Sequence, residues 1–295
     1  MDRFTSSVDT LLADNTSGSG DLLIFLTASI KSLANRQEAE SKLDARKFRG
    51  QLVRIKEGKP VFLVLQHFTG ALTGFLGNKS FVKIDALKAF VDTYTKEWKD
   101  VNERITSNVH QVTSLAGMTI LVHSNSSTVC SLLGNIQSTA SGIRIIQTES
   151  RPVMEGRIQG RRLADLGYQV KVITDASIFM YMQQADLAIL GADAVCPEYF
   201  INKSGSHSVA LACREYGKNC LVICDSRKLW FNQHENAVSL AGFNHLSPPE
   251  ELWADPPENI TIENYYFERV PVSLVRWFVF ENMIVEGRNI HTLTP

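Results

Sequence analysis

Polar side chains follow five short apolar runs in the second half of the sequence. They stand at residues 123–127, 148–152, 175, 191–193 with 202–205, and 225–228. If each run is a strand of one parallel sheet, these segments meet at the carboxyl edge, where open α/β sheets bind ligands. Hydroxyl, amide, carboxylate and cationic groups converging from separate segments therefore predict a polar ligand cleft.

The cations of this cleft favour a phosphorylated small molecule. Lys203 precedes Ser204 and Gly205 at the predicted start of a helix, where an ammonium group and helix N–H groups together suit an anion. Arg151 and Arg157 add guanidinium groups that can hold a phosphate through two hydrogen bonds, although both also fit as solvated helix residues. Neither GxxxxGK[ST] nor GxGxxG occurs at a strand end, so no nucleotide cofactor is expected.

Other residues of the cleft have structural interpretations that remain open. Ser126 or Ser127 can serve as a helix N-cap, and Asp193 can form a turn. His123 and His207 lack the spacing of zinc-binding motifs, so no metal site is expected.

The elements that must position these groups are strands alternating with helices. The apolar runs at 119–122, 143–146, 170–173, 187–190 and 221–223 are continuous, as in parallel strands buried on both faces. Gly142, Gly167 and Gly217 each end a helical stretch just before a strand, and glycine relieves the left-handed conformation of a helix C-terminus. The pattern predicts an α/β fold whose C-terminal part is a Rossmann-like, doubly wound parallel sheet.

The N-terminal part is predicted to be helical. Apolar residues recur at helical spacing over 21–33, 38–55 and 84–115, and a turn is expected at 17–20. The change of pattern predicts an N-terminal helical domain over 1–114 and a Rossmann-like domain over 115–295. In the tail, 265–267 are expected to form a strand, and Pro271 to begin a final helix carrying Leu274, Trp277 and Phe278.

Composition excludes several classes of protein. The formal net charge of -1 gives no basic field, so nucleic acid is not an expected partner. The first residues lack the basic and apolar regions of a signal peptide, and no apolar run is long enough for a membrane span. The five cysteines show no paired CxxC spacing, which favours free thiols and a cytoplasmic location.

Three segments resemble a known family. TESRPVMEGR, ITDASIFMYMQQADLAILGADAV and INKSGSHSVALACREYGKNCLVICDSRK resemble the translation initiation factor 2B alpha/beta/delta family, which includes ribose-1,5-bisphosphate isomerase and methylthioribose-1-phosphate isomerase. The resemblance covers about residues 117–230 and returns at YYFERVPVSLVRWFVFEN. The length, without a long N-terminal extension, is most similar to the alpha subunit.

The resemblance implies which residues would act in an isomerase. In the isomerases a cysteine of a Thr-x-Cys-Asn motif and the aspartate of Gly-Ala-Asp transfer protons. Asp193 matches the aspartate, whereas Ser124 stands at the cysteine position. A serine hydroxyl is a poorer acid or base than a thiol, whose ordinary pKa is about 8.5. No catalytic residue is therefore expected; if the protein is an isomerase, Asp193 and Ser124 carry the reaction.

The residues that match the family's binding apparatus predict a ligand-binding, regulatory protein. They are Asn125, Ser126, Arg151, Arg157, Asp193, Asn202 and Lys203. The resemblance implies a non-catalytic, alpha-type subunit of the guanine-nucleotide exchange factor for translation initiation factor 2. Its implied partners are a second copy bound through the C-terminal domain, the other subunits of the complex, and the alpha subunit of initiation factor 2. A sugar-phosphate aldose–ketose isomerase and a free-standing sugar-phosphate-binding protein are the alternatives.

Overall fold

The computed structural model of the protein describes residues 2–35, 41–230 and 245–293. The chain divides into two units, Met1–Val101 and Asn102–Pro295. The domain limits expected from the sequence, 1–114 and 115–295, stay a prediction. Within the described residues, no helix is both long and apolar enough to cross a lipid bilayer.

The first unit is built mainly from helices. Its helices are α1 (Asp2–Ala13), α2 (Ser19–Asn35), α3 (Ala45–Gly58), α4 (Leu63–Leu76) and α5 (Ile84–Glu97), and a two-stranded antiparallel sheet joins β1 (Lys42–Asp44) to β2 (Phe81–Lys83). The next helix, α6 (Val101–Val112), lies beyond its first residue in the second unit. The predicted helical character of this part is therefore confirmed.

Two predicted helices of this part were wrong in their extent. The pattern over 84–115 contains both α5 and α6, which are separated by a turn. The pattern over 38–55 begins within residues 36–40, which lie outside the described residues, and continues as strand β1. Helix α3 starts only at Ala45 because the Asp44 carboxylate accepts hydrogen bonds from the Arg46 and Lys47 backbone N–H groups, at 2.9 and 3.2 Å.

The second unit contains the predicted doubly wound sheet. In chain order its remaining elements are β3 (Thr119–Val122), α7 (Ser127–Ile136), β4 (Arg144–Thr148), α8 (Gly156–Asp165), β5 (Gln169–Ile173), α9 (Ile178–Met182), β6 (Leu187–Leu190), β7 (Ala194–Val195), β8 (Tyr199–Lys203), α10 (Ser206–Glu215), β9 (Asn219–Ile223), β10 (Phe267–Pro271), β11 (Trp277–Val279) and β12 (Ile284–Glu286). Seven strands form one sheet in the order β12-β11-β9-β6-β3-β4-β5, parallel except for β12. Strands β10, β8 and β7 form a smaller antiparallel sheet.

The centre of the large sheet is buried as the apolar runs indicate. Every residue of β3 and β6 is buried, and the glycines before β4, β5 and β9 adopt left-handed φ values of 76°, 91° and 62°. Strand β5 departs from the expectation of burial on both faces. It lies at the edge of the sheet, and Val172 there is 51% exposed.

The predicted final helix is wrong. Pro271 precedes one short 3-10 turn (Val272–Leu274), after which Trp277 begins strand β11, parallel to β9. This run forms a strand because Phe278 and Phe280 are fully buried in the sheet's own core, where the Phe278 ring packs edge-on to that of Phe200 at 5.7 Å. The predicted strand at 265–267 begins later, as β10.

Candidate functional site

The candidate site lies where the strand order of the large sheet reverses. From β3 the chain proceeds outward to β4 and β5, then returns to the other side of β3 as β6. In such sheets ligands bind beside this switch point, at the carboxyl ends of the strands. The loops after β3 and β6 approach closely here, because a Cβ on Gly191 would lie 2.6 Å from Ser126 Oγ. Two of the loops that the sequence predicts to line a cleft therefore meet at this edge of the sheet, and the cleft itself stays a prediction.

The interpretation of Ser126 as a helix cap is confirmed. Its Oγ accepts a 3.3 Å hydrogen bond from the backbone N–H of Val129 in the first turn of α7. Its own N–H donates to Gln159 Oε1 at 2.8 Å. Ser126 therefore holds the loop between β3 and α7 in place, whatever it contacts in a ligand.

The loops after β3 and β4 contain strained backbone. Among the described residues other than glycine, left-handed φ values occur at Ser124 (67°), Ser150 (63°) and Met154 (58°). This conformation costs a non-glycine residue about 1–2 kcal/mol, and such strain concentrates at functional sites. Ser124 N–H donates to Ser150 Oγ at 2.8 Å, which ties the two loops together.

The β4 loop is also anchored to Asp175, two residues after the end of β5. The Asp175 carboxylate accepts hydrogen bonds from the backbone N–H groups of Ser150 at 2.9 Å and Arg151 at 2.7 Å. Both oxygens of the Asp175 carboxylate therefore bind the backbone of the β4 loop. Arg151 itself is exposed.

A buried ion pair occupies the centre of the cluster. The Lys203 ammonium lies 3.0 and 3.1 Å from the two carboxylate oxygens of Glu155, and each side chain is 5% exposed. Ser124 Oγ donates a 3.0 Å hydrogen bond to the same carboxylate. Burial raises the pKa of Glu155, and the Lys203 ammonium and Ser124 hydroxyl oppose that rise. Ser124, Glu155 and Lys203 thus form one connected polar group.

The Glu155 carboxylate is a base beside Ser124. Glu155 stands next to Gly156 at the start of α8, and it was not among the residues predicted for the site. A signal for it existed, because carboxylates favour the first turn of a helix. Its position is fixed locally: a Cβ on Gly156 would lie 2.0 Å from the carbonyl oxygen of Thr148, so the chain passes too close for any side chain.

The N-terminus of α10, where the sequence predicts an anion site, already binds the carboxylate of Glu268. Glu268 Oε1 accepts hydrogen bonds from the backbone N–H groups of Gly205 at 2.7 Å and His207 at 2.8 Å. Glu268 lies on β10, opposite Asn202 of β8. The carboxylate of Glu268 therefore caps α10, a role that the sequence analysis missed because the two segments are distant along the chain.

His123 is a buried, neutral residue of the site. Its Nε2 lies 3.0 Å from the Ser204 carbonyl oxygen, so this nitrogen carries the proton, and Nδ1 accepts from the Thr148 hydroxyl at 2.6 Å. Burial lowers the pKa of His123 to about 4, and the positive charge of Lys203 acts in the same direction. Close packing around the ring explains Gly205, whose φ is 108° and whose Cβ would lie 2.6 Å from His123 Cε1.

The remaining predicted ligand residues already have partners within the protein. Asn202 Nδ2 donates to Ser206 Oγ at 2.8 Å, and Asn125 Oδ1 accepts from Arg162 at 3.5 Å. Arg157 is paired at 2.8 Å with Glu149, and its side chain is 60% exposed.

Asp193 is held through its backbone, whose N–H donates to the Ile201 carbonyl oxygen at 2.8 Å. Lys228 belongs to the 225–228 segment expected at this edge but was not among the predicted ligand residues; its ammonium reaches Ala192 O at 2.6 Å and fixes the Gly-Ala-Asp turn. Across residues 2–35, 41–230 and 245–293, no three His, Cys, Asp or Glu side chains gather as metal ligands. The ligand-binding roles of the predicted residues stay predictions.

Comparison with known proteins shows two kinds of relative. A translation initiation factor eIF-2B subunit 2-like protein of Pyrococcus horikoshii is 30% identical over 176 residues, 59% of this chain and 60% of the relative. The ribose 1,5-bisphosphate isomerase of Thermococcus kodakarensis is 26% identical over 210 residues, 70% of this chain and 63% of the relative. The matched stretch is thus less than two thirds of each relative's own length.

The fold is shared with a solved structure. A crystal structure of the Pyrococcus horikoshii translation initiation factor eIF-2B superposes with a TM-score of 0.79 at 23% identity, covering 97% of this chain and 98% of that one. Residues 24–284 match the sequence model of the family described as "Initiation factor 2 subunit family". The chain therefore belongs to the initiation factor 2 subunit family.

Proposed function

We propose that the protein is a non-catalytic, alpha-type regulatory subunit of the guanine-nucleotide exchange factor for translation initiation factor 2. The observation that carries the proposal is the state of Ser124, whose hydroxyl donates to a carboxylate already paired with Lys203. Burial raises the pKa of Glu155, but an alcohol is still a far weaker acid than a carboxylic acid, so the serine proton stays on its oxygen. The cleft then lacks one of the two proton-transfer groups that an aldose–ketose isomerase needs.

The cleft is proposed to bind a phosphorylated small molecule of the sugar-phosphate type. The proposed ligand residues are Asn125, Ser126, Arg151, Arg157, Asp193, Asn202 and Lys203. Arg151 is an exposed residue of the β4 loop, and Lys203 holds a buried ammonium in the group formed with Ser124 and Glu155. Because Glu155 already neutralises Lys203, Arg151 is the cation expected to meet the phosphate first.

The proposed partners are protein chains in the cytoplasm. They are a second copy bound through the C-terminal domain, the other subunits of the initiation factor 2B complex, and the alpha subunit of initiation factor 2. Support comes from family membership and from a relative of the eIF-2B subunit 2-like kind.

Recovery of bound partners from the native host tests this proposal. The tagged full-length protein should co-purify with other initiation factor 2B subunits, identified by mass spectrometry, and sediment as a dimer when purified alone. Recovery without any such subunit, from a host that expresses them, would contradict the regulatory assignment. Calorimetry with ribose 5-phosphate tests the ligand separately.

The second candidate, a sugar-phosphate isomerase, is favoured by one observation. Glu155 lies within hydrogen-bonding distance of Ser124, so a proton acceptor is present beside its hydroxyl. Ribose 1,5-bisphosphate isomerases among the relatives make this reaction class the one to assay.

A further inference from the structure

The Lys203 ammonium is enclosed by the protein on two sides. Glu155 meets it with both oxygens at 3.0 and 3.1 Å, and the ring centroid of Tyr266 lies 4.8 Å away on another side. With its side chain 5% exposed, Lys203 can touch an external ligand only after groups around it move, and these two side chains lie against its ammonium.

Glu155 is the less mobile neighbour. It sits at the start of α8 in a loop that passes too close to Thr148 O to tolerate even a methyl group on Gly156. Removing its carboxylate from Lys203 would also leave two buried charges unpaired, which is strongly unfavourable.

The Tyr266 side chain is held differently. Its backbone is fixed, because Tyr266 O accepts the 2.8 Å hydrogen bond of Ser204 N–H. The ring is half-buried, and its hydroxyl donates to the Glu251 carboxylate at 2.5 Å. Glu251 ends the short 3-10 turn Pro249–Glu251 and accepts a second hydrogen bond, at 2.9 Å, from Asn264 Nδ2.

We infer that Tyr266 and Glu251 form a latch that controls access to Lys203. In the closed state the ring covers the ammonium through a cation–π contact, and the charge-assisted hydrogen bond to Glu251 holds the ring there. Rotation of the Tyr266 side chain away from Glu251 opens a path to the ammonium without moving the backbone. An anionic ligand favours the open state, because a full negative charge attracts an ammonium more strongly than an aromatic face does.

This latch is independent of the proposed regulatory function, and its test needs no ligand. The full-length protein and its variants are treated with an N-hydroxysuccinimide acetate reagent, and acetylation of each lysine is followed by mass spectrometry. Tyr266→Phe keeps the ring but removes the hydroxyl, and Glu251→Gln keeps the side chain but removes its charge. Loss of a hydrogen bond to a charged group should raise the acetylation rate of Lys203 by about tenfold in each variant.

Two controls separate the latch from general loosening of the domain. Lys228 is an internal reference, since it is 7% exposed and its ammonium bonds Ala192 O. Its rate should be unchanged in every variant. Tyr265→Phe changes the neighbouring tyrosine and should leave both lysines as in the natural protein.

The acetylation rates of Lys203 and Lys228 distinguish a latch from its absence. Faster acetylation of Lys203 alone in Tyr266→Phe and Glu251→Gln, and a larger increase in Tyr266→Ala, supports the latch. Unchanged acetylation of Lys203 in folded Tyr266→Phe overturns it, and so does an equal rise at Lys203 and Lys228. Failure of partner recovery or of ligand calorimetry bears on the proposed function and leaves the latch standing.

Discussion

Ser124 Oγ lies 3.0 Å from Glu155 Oε1, and the same carboxylate lies 3.0 Å from the Lys203 ammonium. The hydroxyl therefore has the Glu155 carboxylate beside it as a base, and that carboxylate also forms an ion pair with Lys203. This arrangement keeps Ser124 as a hydrogen-bond donor with its proton in place. The chemistry of the site depends on whether a thiol or a hydroxyl occupies position 124.

We predict that the natural protein does not isomerise ribose 1,5-bisphosphate or 5-methylthioribose 1-phosphate. Loss of one general acid–base group typically lowers the rate by about 10²- to 10⁴-fold. Ser124→Cys restores a thiol at the position, and both proteins are assayed by ketose formation. Turnover by the natural protein that disappears in Asp193→Asn would show an isomerase. Turnover only in Ser124→Cys would support a cleft that has kept binding and lost catalysis.

Breaking the buried ion pair should be costly. Lys203→Met leaves the Glu155 carboxylate buried without its partner and should lower the free energy of unfolding by about 3–5 kcal/mol. The double variant Lys203→Met, Glu155→Leu should recover most of that loss, because no unpaired charge remains. Arg157→Met, which removes an exposed pair with Glu149, is the matched control and should cost less than about 1 kcal/mol. Urea unfolding measures all of them; equal losses in Lys203→Met and the control would contradict the prediction.

The central strands of the large sheet could be predicted from the sequence, because a strand buried on both faces is a continuous apolar run. The apolar run ending at Val122 is continuous in the sequence and buried in the structure, as is the run ending at Leu190. The edge position of β5 could not be read in this way, because its apolar residues look the same as those of the central strands. An exposed edge is a property of the sheet order and not of the strand itself.

The partners of the site residues were largely unpredictable for a related reason. Glu155 and Lys203 are 48 residues apart, and Glu268 caps a helix 63 residues before it. Sequence spacing indicates which side chains reach one edge of the sheet, but not which of them neutralise each other. The same run of residues that predicted a helix at Trp277 formed a strand, because the tertiary position beside β9 outweighed local preference.

His123 should make the stability fall in mild acid. Its pKa is about 4 in the folded protein, below the ordinary value of 6.5, chiefly because the ring is buried; Asp175 opposes this shift and Lys203 adds to it. Below about pH 6.5 the unfolded chain therefore binds a proton that the folded protein does not. The neutral His123 ring contributes up to about 3 kcal/mol to the free energy of unfolding. This contribution is fully present above about pH 6.5 and is lost as the pH falls toward about 4.

Urea unfolding at several pH values between 7.5 and 4.5 checks this dependence. His123→Gln cannot titrate, so its stability should fall less steeply over that range than that of the natural protein. His110→Gln, on the exposed surface of α6, should keep the natural slope. Identical slopes in the natural protein and His123→Gln would show that the buried imidazole does not set the dependence.

Gly156 should be the glycine of the site least able to accept a side chain. A Cβ there would lie 2.0 Å from Thr148 O and 2.9 Å from both Gln147 Nε2 and Ser150 Oγ, so the backbone of the β4 loop must move. Overpacking typically costs about 1–3 kcal/mol, and the contact with a carbonyl oxygen places Gly156→Ala at or above the upper end of that range.

The matched control for Gly156 lies in the neighbouring helix. Gly134 is inside α7, where an added Cβ would meet Leu166 at an ordinary distance of 3.7 Å. Gly134→Ala should therefore stabilise the protein by about 0.5–1 kcal/mol, since alanine restricts the unfolded chain and favours the helix. Thermal unfolding of the two variants should shift in opposite directions from the natural protein. Because Gly156 adjoins Glu155, Gly156→Ala should also disturb the carboxylate that binds Lys203, and Lys203 should then be acetylated faster. A Gly156→Ala protein with natural stability and an unchanged Lys203 rate would show that the β4 loop yields easily and does not fix Glu155.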